Sequence, residues 1–383
     1  MKRDIIFFST ADWDNPFWTN KQHLASALAD EGFRVLYIES AGLRRPTARA
    51  ADLRRMWRRL VKGLSGLKRP REGLWVWSPL VVPLQSNPLV KAVNDGVMTA
   101  ALRRHILRLR FRDPLFWTYN PMSLPLARSL GLDDIVYHCV DDLSAIPGAA
   151  ADAVLRAESE LAGAARMVFT TSPTLQRRCE AAAPGRCRCL PNVVDFDHFS
   201  RAMEPGDEPA ELASVERPRI GFVGALSEYK VDFDLIAALA ARRPQWQWVL
   251  VGKVGEGQPG TSAQRLRAPN IHLVGPRPYA LVPRWLAAFD AAVIPAPLND
   301  YTRSMFPMKF FEYLAAGRPV VATRLPALVP YASVCRLASS ADEFLAGIED
   351  ALSGRIDTAG GVELARRHTW KWRTGEMLRL LDL

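Results

Sequence analysis

Lys309 and Glu312 stand three residues apart in Phe306-Pro-Met-Lys-Phe-Phe-Glu-Tyr-Leu-Ala-Ala-Gly317, so a helix through them puts an ammonium and a carboxylate on one face. Pro307 suits the first helical turn, where a missing N–H costs nothing. The unpaired N–H groups of Met308, Lys309 and Phe310, the helix dipole and the Lys309 charge would together hold a diphosphate. Glu312, one turn further on, would accept from two ribose hydroxyls. Gly317 ends the helix, and Pro319-Val-Val-Ala322 begins a buried strand.

A second candidate lies in Ile135-Val-Tyr-His-Cys-Val-Asp-Asp-Leu-Ser144. Asp141 and Asp142 follow a short apolar strand, at the edge where α/β proteins place their active residues. Transfer to a hydroxyl needs a base beside the acceptor and a cationic clamp on the leaving group, and a carboxylate here would be that base. The same pair would equally cap the following helix, a role that suits Asp142 better. His23, in Asn20-Lys-Gln-His-Leu24, would touch an acceptor or cap its own helix, and the cap is the simpler reading. Asp12-Trp-Asp14, Asp195-Phe-Asp197 and Asp232-Phe-Asp234 match an Asp-x-Asp metal pattern. Such triplets are common in loops, and no metal or other cofactor is expected.

Positioning these groups takes alternating strands and helices. Strands are predicted at Asp4–Ser9, Val35–Glu39, Leu115–Thr118, Ile135–His138 and Met167–Thr170, with a helix from Lys21 to Glu31 that ends at Gly32. A second series is predicted at Arg219–Val223, Trp246–Val251, Ile271–Val274, Ala291–Ile294 and Val320–Ala322. A chain of 383 residues, 49% of them hydrophobic, is long enough to bury two cores. The expected division is a domain at 1–200, a linker at 201–217, a domain at 218–367, and a terminal helix at 368–383 that crosses back to the first domain. The fold class is α/β, with two Rossmann-like domains whose parallel sheets face a cleft.

The net charge of +10 is concentrated. Residues 44–71 hold eleven Lys or Arg and one Asp, and Arg103–Arg112 adds five arginines. Within the first block Leu53, Met56, Trp57, Leu60, Val61 and Leu64 recur at helical spacing, with Arg54, Arg55, Arg58, Arg59 and Lys62 between them. One apolar face with a Trp and one cationic face fit a helix lying on an anionic membrane. Packing on its own sheet with a solvated basic face is the alternative. No nucleic-acid-binding module accompanies the charge, so nucleic acid is not an expected partner. No apolar run approaches the roughly 18–20 residues that span a bilayer, and residues 1–9 lack the features of a secretory signal. The five cysteines, at 139, 179, 187, 189 and 335, read as reduced thiols, so a cytoplasmic location at the inner membrane face is expected.

The segment Phe306–Thr323 resembles the donor-site signature of GT-B glycosyltransferases, in particular the group filed as family 4 and family-1-like. Ile220-Gly-Phe-Val-Gly-Ala-Leu226 is similar to the first strand and glycine loop of their donor domain. Asn270–Gly275, Leu281–Asp290 and Ala292–Pro295 are similar to the strand, helix and strand that precede the signature. The resemblance implies a nucleotide-sugar site built from Gly224, Leu226, Arg277, Met308, Lys309 and Glu312, and a GT-B fold. Tyr137-His-Cys-Val-Asp-Asp-Leu-Ser144 resembles the pattern in the membrane-associated glucuronosyltransferases of xanthan synthesis, whose aspartate, here Asp141, is the base. Retaining members carry an Arg after the loop glycine and a Glu eight residues before the helix Glu. Here these positions are Ala225 and Ser304, with Lys230 where their Lys stands. The departures favour inversion with Asp141 as base. The expected activity is sugar transfer from a UDP-sugar to a lipid-linked or saccharide acceptor in bacterial envelope or exopolysaccharide synthesis, at an anionic membrane. A sugar-nucleotide epimerase and a silent scaffold binding anionic lipid or polymer are the alternatives.

Overall fold

The computed structural model describes residues 2–15, 17–40, 66–80, 88–258 and 260–383. The first sheet holds β1 (Asp4–Phe8), β2 (Arg34–Ile38), β3 (Lys68–Arg71), β4 (Leu74–Trp77), β5 (Leu115–Thr118), β6 (Ile135–Cys139), β7 (Met167–Thr170) and β8 (Cys187–Cys189). Its order is β3-β4-β2-β1-β5-β6-β7-β8, parallel throughout except for β3 against β4. Central strands such as Asp-Ile-Ile-Phe-Phe are buried at every position, because helices cover both faces and leave no side to be polar. β3, Lys-Arg-Pro-Arg, is exposed throughout, and its charges and proline suit an edge.

The second sheet holds β9 (Arg219–Val223), β10 (Gln247–Val251), β11 (Ile271–Gly275), β12 (Ala291–Ile294), β13 (Val320–Thr323) and β14 (Arg336–Ala338). Its order is β11-β10-β9-β12-β13-β14, all parallel. Each sheet is therefore a doubly wound Rossmann-like layer, and the C-terminal edges of the two turn toward a shared cleft.

Several expectations need correction. β3, β4, β8 and β14 are strands that the sequence reading did not anticipate. The linker at 201–217 packs on the second domain: Ala202, Leu212 and Val215 are buried in that domain's core, and Arg219 pairs with Glu208 at 2.8 Å. The helix Trp370–Leu380 buries Trp370, Met377 and Leu378, with Leu381 just beyond it, among Ile5, Leu24 and Val35 of the first domain. A parallel bridge between Val194 and Thr369 marks where the returning chain runs beside the outgoing one. The basic amphipathic stretch, with Arg54, Arg55, Trp57, Arg58 and Arg59, lies outside the described residues. Its described end, Lys68–Arg71, is strand.

Candidate active site

The donor half of the site is set by two backbone features. The loop after β9 carries Gly224 at φ +147°, where a Cβ would lie 3.1 Å from Lys309 Cε. Gly252, at φ +156°, approaches so closely that a Cβ would sit 1.8 Å from the Gly224 carbonyl oxygen. Only glycine fits either place, and the loop is held against the start of the helix Lys309–Ala315. The Lys309 ammonium rests 5.3 Å above the Phe222 ring. Pro307 stands just before the helix rather than inside it, and its carbonyl accepts from Phe310 N–H at 3.1 Å, so one of the three anticipated orphan donors is already used.

Lys309 and Glu312 are desolvated side chains on one face of the helix, close enough for each to feel the other's charge. Desolvation lowers the Lys309 pKa to about 8, with Lys230 pushing the same way and Glu312 opposing. Burial raises Glu312 to about 7, tempered by Lys309. Lys230 also lies 5.3 Å over the Tyr301 ring and 5.2 Å over that of Tyr229. The arrangement is a cation pair with a carboxylate, suited to a phosphorylated ligand bearing vicinal hydroxyls.

The other half comes from the first domain. Asp141, immediately beyond β6, has a partly exposed side chain whose Oδ2 lies 3.7 Å from the Lys21 ammonium. Its Oδ1 accepts from the Tyr301 hydroxyl at 3.0 Å, and Tyr301 belongs to the second domain. Lys21 is buried beneath this carboxylate, over the Tyr119 ring, and desolvation lowers its pKa while Asp141 works against that. Asp142 points elsewhere. It accepts from Ser144 N–H at 3.1 Å, capping the turn Leu143–Ala145, and takes a 2.6 Å bond from Arg178.

Arg178 also bonds Glu158, which sits with Cys139 and Cys179 in a buried group whose ligand atoms are within 4.8 Å of one another. The guanidinium already supplies the positive charge there, and Tyr137 donates to Glu158 at 3.0 Å, so a metal ion would be repelled. Of the Asp-x-Asp triplets, Asp195 and Asp232 cap the helices that follow them.

Four anticipated residues sit differently from the reading. His23 does not cap its helix: Thr19 and Gln22 form the capping box. His23 stacks on Trp370 at 5.3 Å and meets Tyr279 and Trp18, and burial beside His198 lowers its pKa to about 3, so it is neutral. Arg277 bonds Glu211 at 3.1 Å and covers the Trp285 ring. Neither Leu226 nor Met308 offers a side chain to the site, and the Leu226 N–H already donates to the Lys253 carbonyl at 3.0 Å. The Leu226 side chain is core, and that of Met308 packs on the first domain. The sequence reading missed Lys21 and Tyr301. The capping box of Asn299 and Thr302 was a signal for the short helix carrying Tyr301, though not for where its hydroxyl points.

Direct bonds close the cleft around these groups. Ser172 Oγ donates to the Ser304 carbonyl at 2.7 Å, and Asn192 Nδ2 to the Phe306 carbonyl at 2.8 Å. Two Rossmann-like domains that meet over a cationic helix start on one side and a carboxylate on the other are the arrangement of the GT-B fold. Residues 217–353 match the family model described as glycosyl transferases group 1, so the second domain is a group 1 glycosyltransferase domain and the chain a transferase. A protein named as a teichuronic acid biosynthesis glycosyltransferase, TuaH of Bacillus subtilis (strain 168), is 26% identical over 315 residues, 72% of this chain and 78% of that one. Sucrose-phosphate synthase from Thermosynechococcus elongatus superposes with a TM-score of 0.72 at 18% identity, covering 100% of this chain and 98% of that one. HepE from Anabaena, in complex with UDP-glucose, gives 0.69 at 17% identity over 100% of both chains.

Proposed function

We propose that the protein transfers a sugar from a UDP-linked donor to a hydroxyl of a lipid-linked or saccharide acceptor, with inversion, in the assembly of a bacterial envelope polysaccharide. The observation that carries this reading is the placement of Asp141 across the cleft from Lys230, Lys309 and Glu312. The diphosphate would lie at the helix start against Lys309, with Lys230 beside it, and the ribose against Glu312. The cationic side chains would take the leaving-group charge in place of a metal ion. Asp141 would accept the acceptor proton as the hydroxyl attacks the anomeric carbon from the face opposite UDP. Position 304, where retaining relatives have Glu, is a buried serine whose carbonyl is tied to Ser172, which leaves no carboxylate there. The UDP-glucose held by HepE and the teichuronic acid role in the name of TuaH support the donor and the pathway class.

Membrane attachment is part of the proposal. Among the described residues no helix is long and apolar enough to cross a membrane. The stretch between β2 and β3 leaves and rejoins the sheet at the edge that bears Asp141, since β2 ends there and the antiparallel β3 begins there. The helix Pro88–Leu109 starts at that edge and exposes Val93 and Val97. A panel of UDP-sugars with lipid extract, scored for UDP release and then for product anomeric configuration by NMR, tests the whole reading. Asp141→Asn should abolish transfer and leave UDP binding nearly intact. Normal turnover in that variant, or a retained anomer, sinks it.

A further inference from the structure

We propose that Tyr301 is a positioning residue that couples domain closure to the base, aiming Asp141 only while the two domains are docked. The inference rests on the reading of Asp141 as base. The two carboxylate oxygens are restrained from opposite domains: Oδ2 faces Lys21 at 3.7 Å within the first domain, and Oδ1 accepts from Tyr301 at 3.0 Å across the cleft. Separating the domains therefore removes one of two restraints on this side chain, and the carboxylate becomes free to turn.

Tyr301 is itself fixed. Its helix, Asp300–Ser304, is held at the start by the Asn299–Thr302 capping box and at the end by the Ser172 bond to the Ser304 carbonyl. Its ring meets Tyr229 edge-on at 5.0 Å, and Asn299 Nδ2 donates to the Tyr229 carbonyl at 2.9 Å. The loop that carries Lys230 and the helix that carries Tyr301 are thus one unit, so a phosphate drawn to Lys230 steadies the phenol as well. Burial and the adjacent carboxylate push the phenol's pKa up, which keeps it a donor. The charged and titratable groups around Asp141 are Lys21 below it, Tyr301 across the cleft with Lys230 behind, and the neighbouring Asp142, which is paired with Arg178 of the helix Pro173–Glu180. A base aimed only in the closed cleft activates the acceptor hydroxyl and not a passing water, which favours transfer over hydrolysis of the donor.

Tyr301→Phe tests this, since it keeps the ring and its packing. With the UDP-sugar that the panel identifies, donor KM should stay within about twofold and kcat should fall by about ten- to a hundredfold. The acid limb of kcat against pH should move upward, because a carboxylate deprived of a donor is more basic. Tyr301→3-fluorotyrosine, a stronger donor of nearly the same shape, should move that limb the other way. An unmoved limb in both variants overturns the proposal whether or not kcat falls, because a purely structural tyrosine leaves the limb in place. Normal turnover in Asp141→Asn instead overturns the base assignment underneath it, whatever Tyr301→Phe does.

Discussion

Lys309 carries a proton that burial makes easier to lose, with a pKa lowered to about 8 by desolvation and by Lys230. A diphosphate binds the charged form, and binding stabilises that proton. UDP affinity should therefore hold below pH 8 and fall above it by up to tenfold per pH unit, with proton uptake visible in calorimetry across two buffers. Lys309→Arg, which stays charged, should flatten the profile, while Lys309→Ala should lower turnover by about two to three orders of magnitude. A flat wild-type profile would remove Lys309 from the phosphate. The pair Lys309–Glu312 was legible because three residues along a helix fix a shared face. Asp141 with Lys21 and Tyr301 was not, because the partners come from positions 120 and 160 residues away and meet only after both sheets form. The direction Arg277 takes was not legible either. A long side chain beside the site can swing to a linker carboxylate, and spacing does not say which way it turns.

At the level of elements, strands buried on both faces announced themselves as apolar runs. β5, β7, β9 and β12 lie where the pattern put them, residue for residue. Of the strands that escaped notice, β3, β8 and β14 are three or four residues long and sit at sheet edges, where Lys68, Arg69, Arg71, Arg188 and Arg336 replace apolar residues, while β4 is an interior strand of only four residues. Packing between elements is the next constraint. A Cβ on Gly221 in β9 would lie 1.9 Å from the Phe289 ring, deep in the second domain's core. Gly221→Ala should lower stability by at least about 2 kcal/mol, and the melting temperature by roughly 4–8 °C. Adding Phe289→Leu should restore part of that loss, since the two positions share one space. Additive effects in the double variant would mean that the contact is not what limits the glycine.

For the molecule as a whole, the excess of ten positive charges matters most if it is gathered at the cleft edge. Each Lys or Arg near an anionic leaflet contributes about 1 kcal/mol. Replacing Arg54, Arg55, Arg58 and Arg59 with Gln should release the protein from vesicles containing anionic lipid, and added salt should mimic that release. Trp57→Ser should weaken flotation in a way that salt does not reproduce, because the loss is apolar burial. Unchanged flotation in both would place the basic face in solvent.

The packing of Trp370, Met377, Leu378 and Leu381 into the first domain also sets an order of events during synthesis. A domain at the front of a chain normally folds while the rest is still being made. Here β8 leaves the ribosome about 180 residues before the helix Trp370–Leu380, a delay of roughly 10–40 s at cellular elongation rates. For that time the surface around Leu24, Leu28 and Val35 waits without its cover, and the first domain made is the last to be finished. Nascent chains halted at residue 365 should stay open to protease within residues 1–190, and chains carried through residue 383 should not.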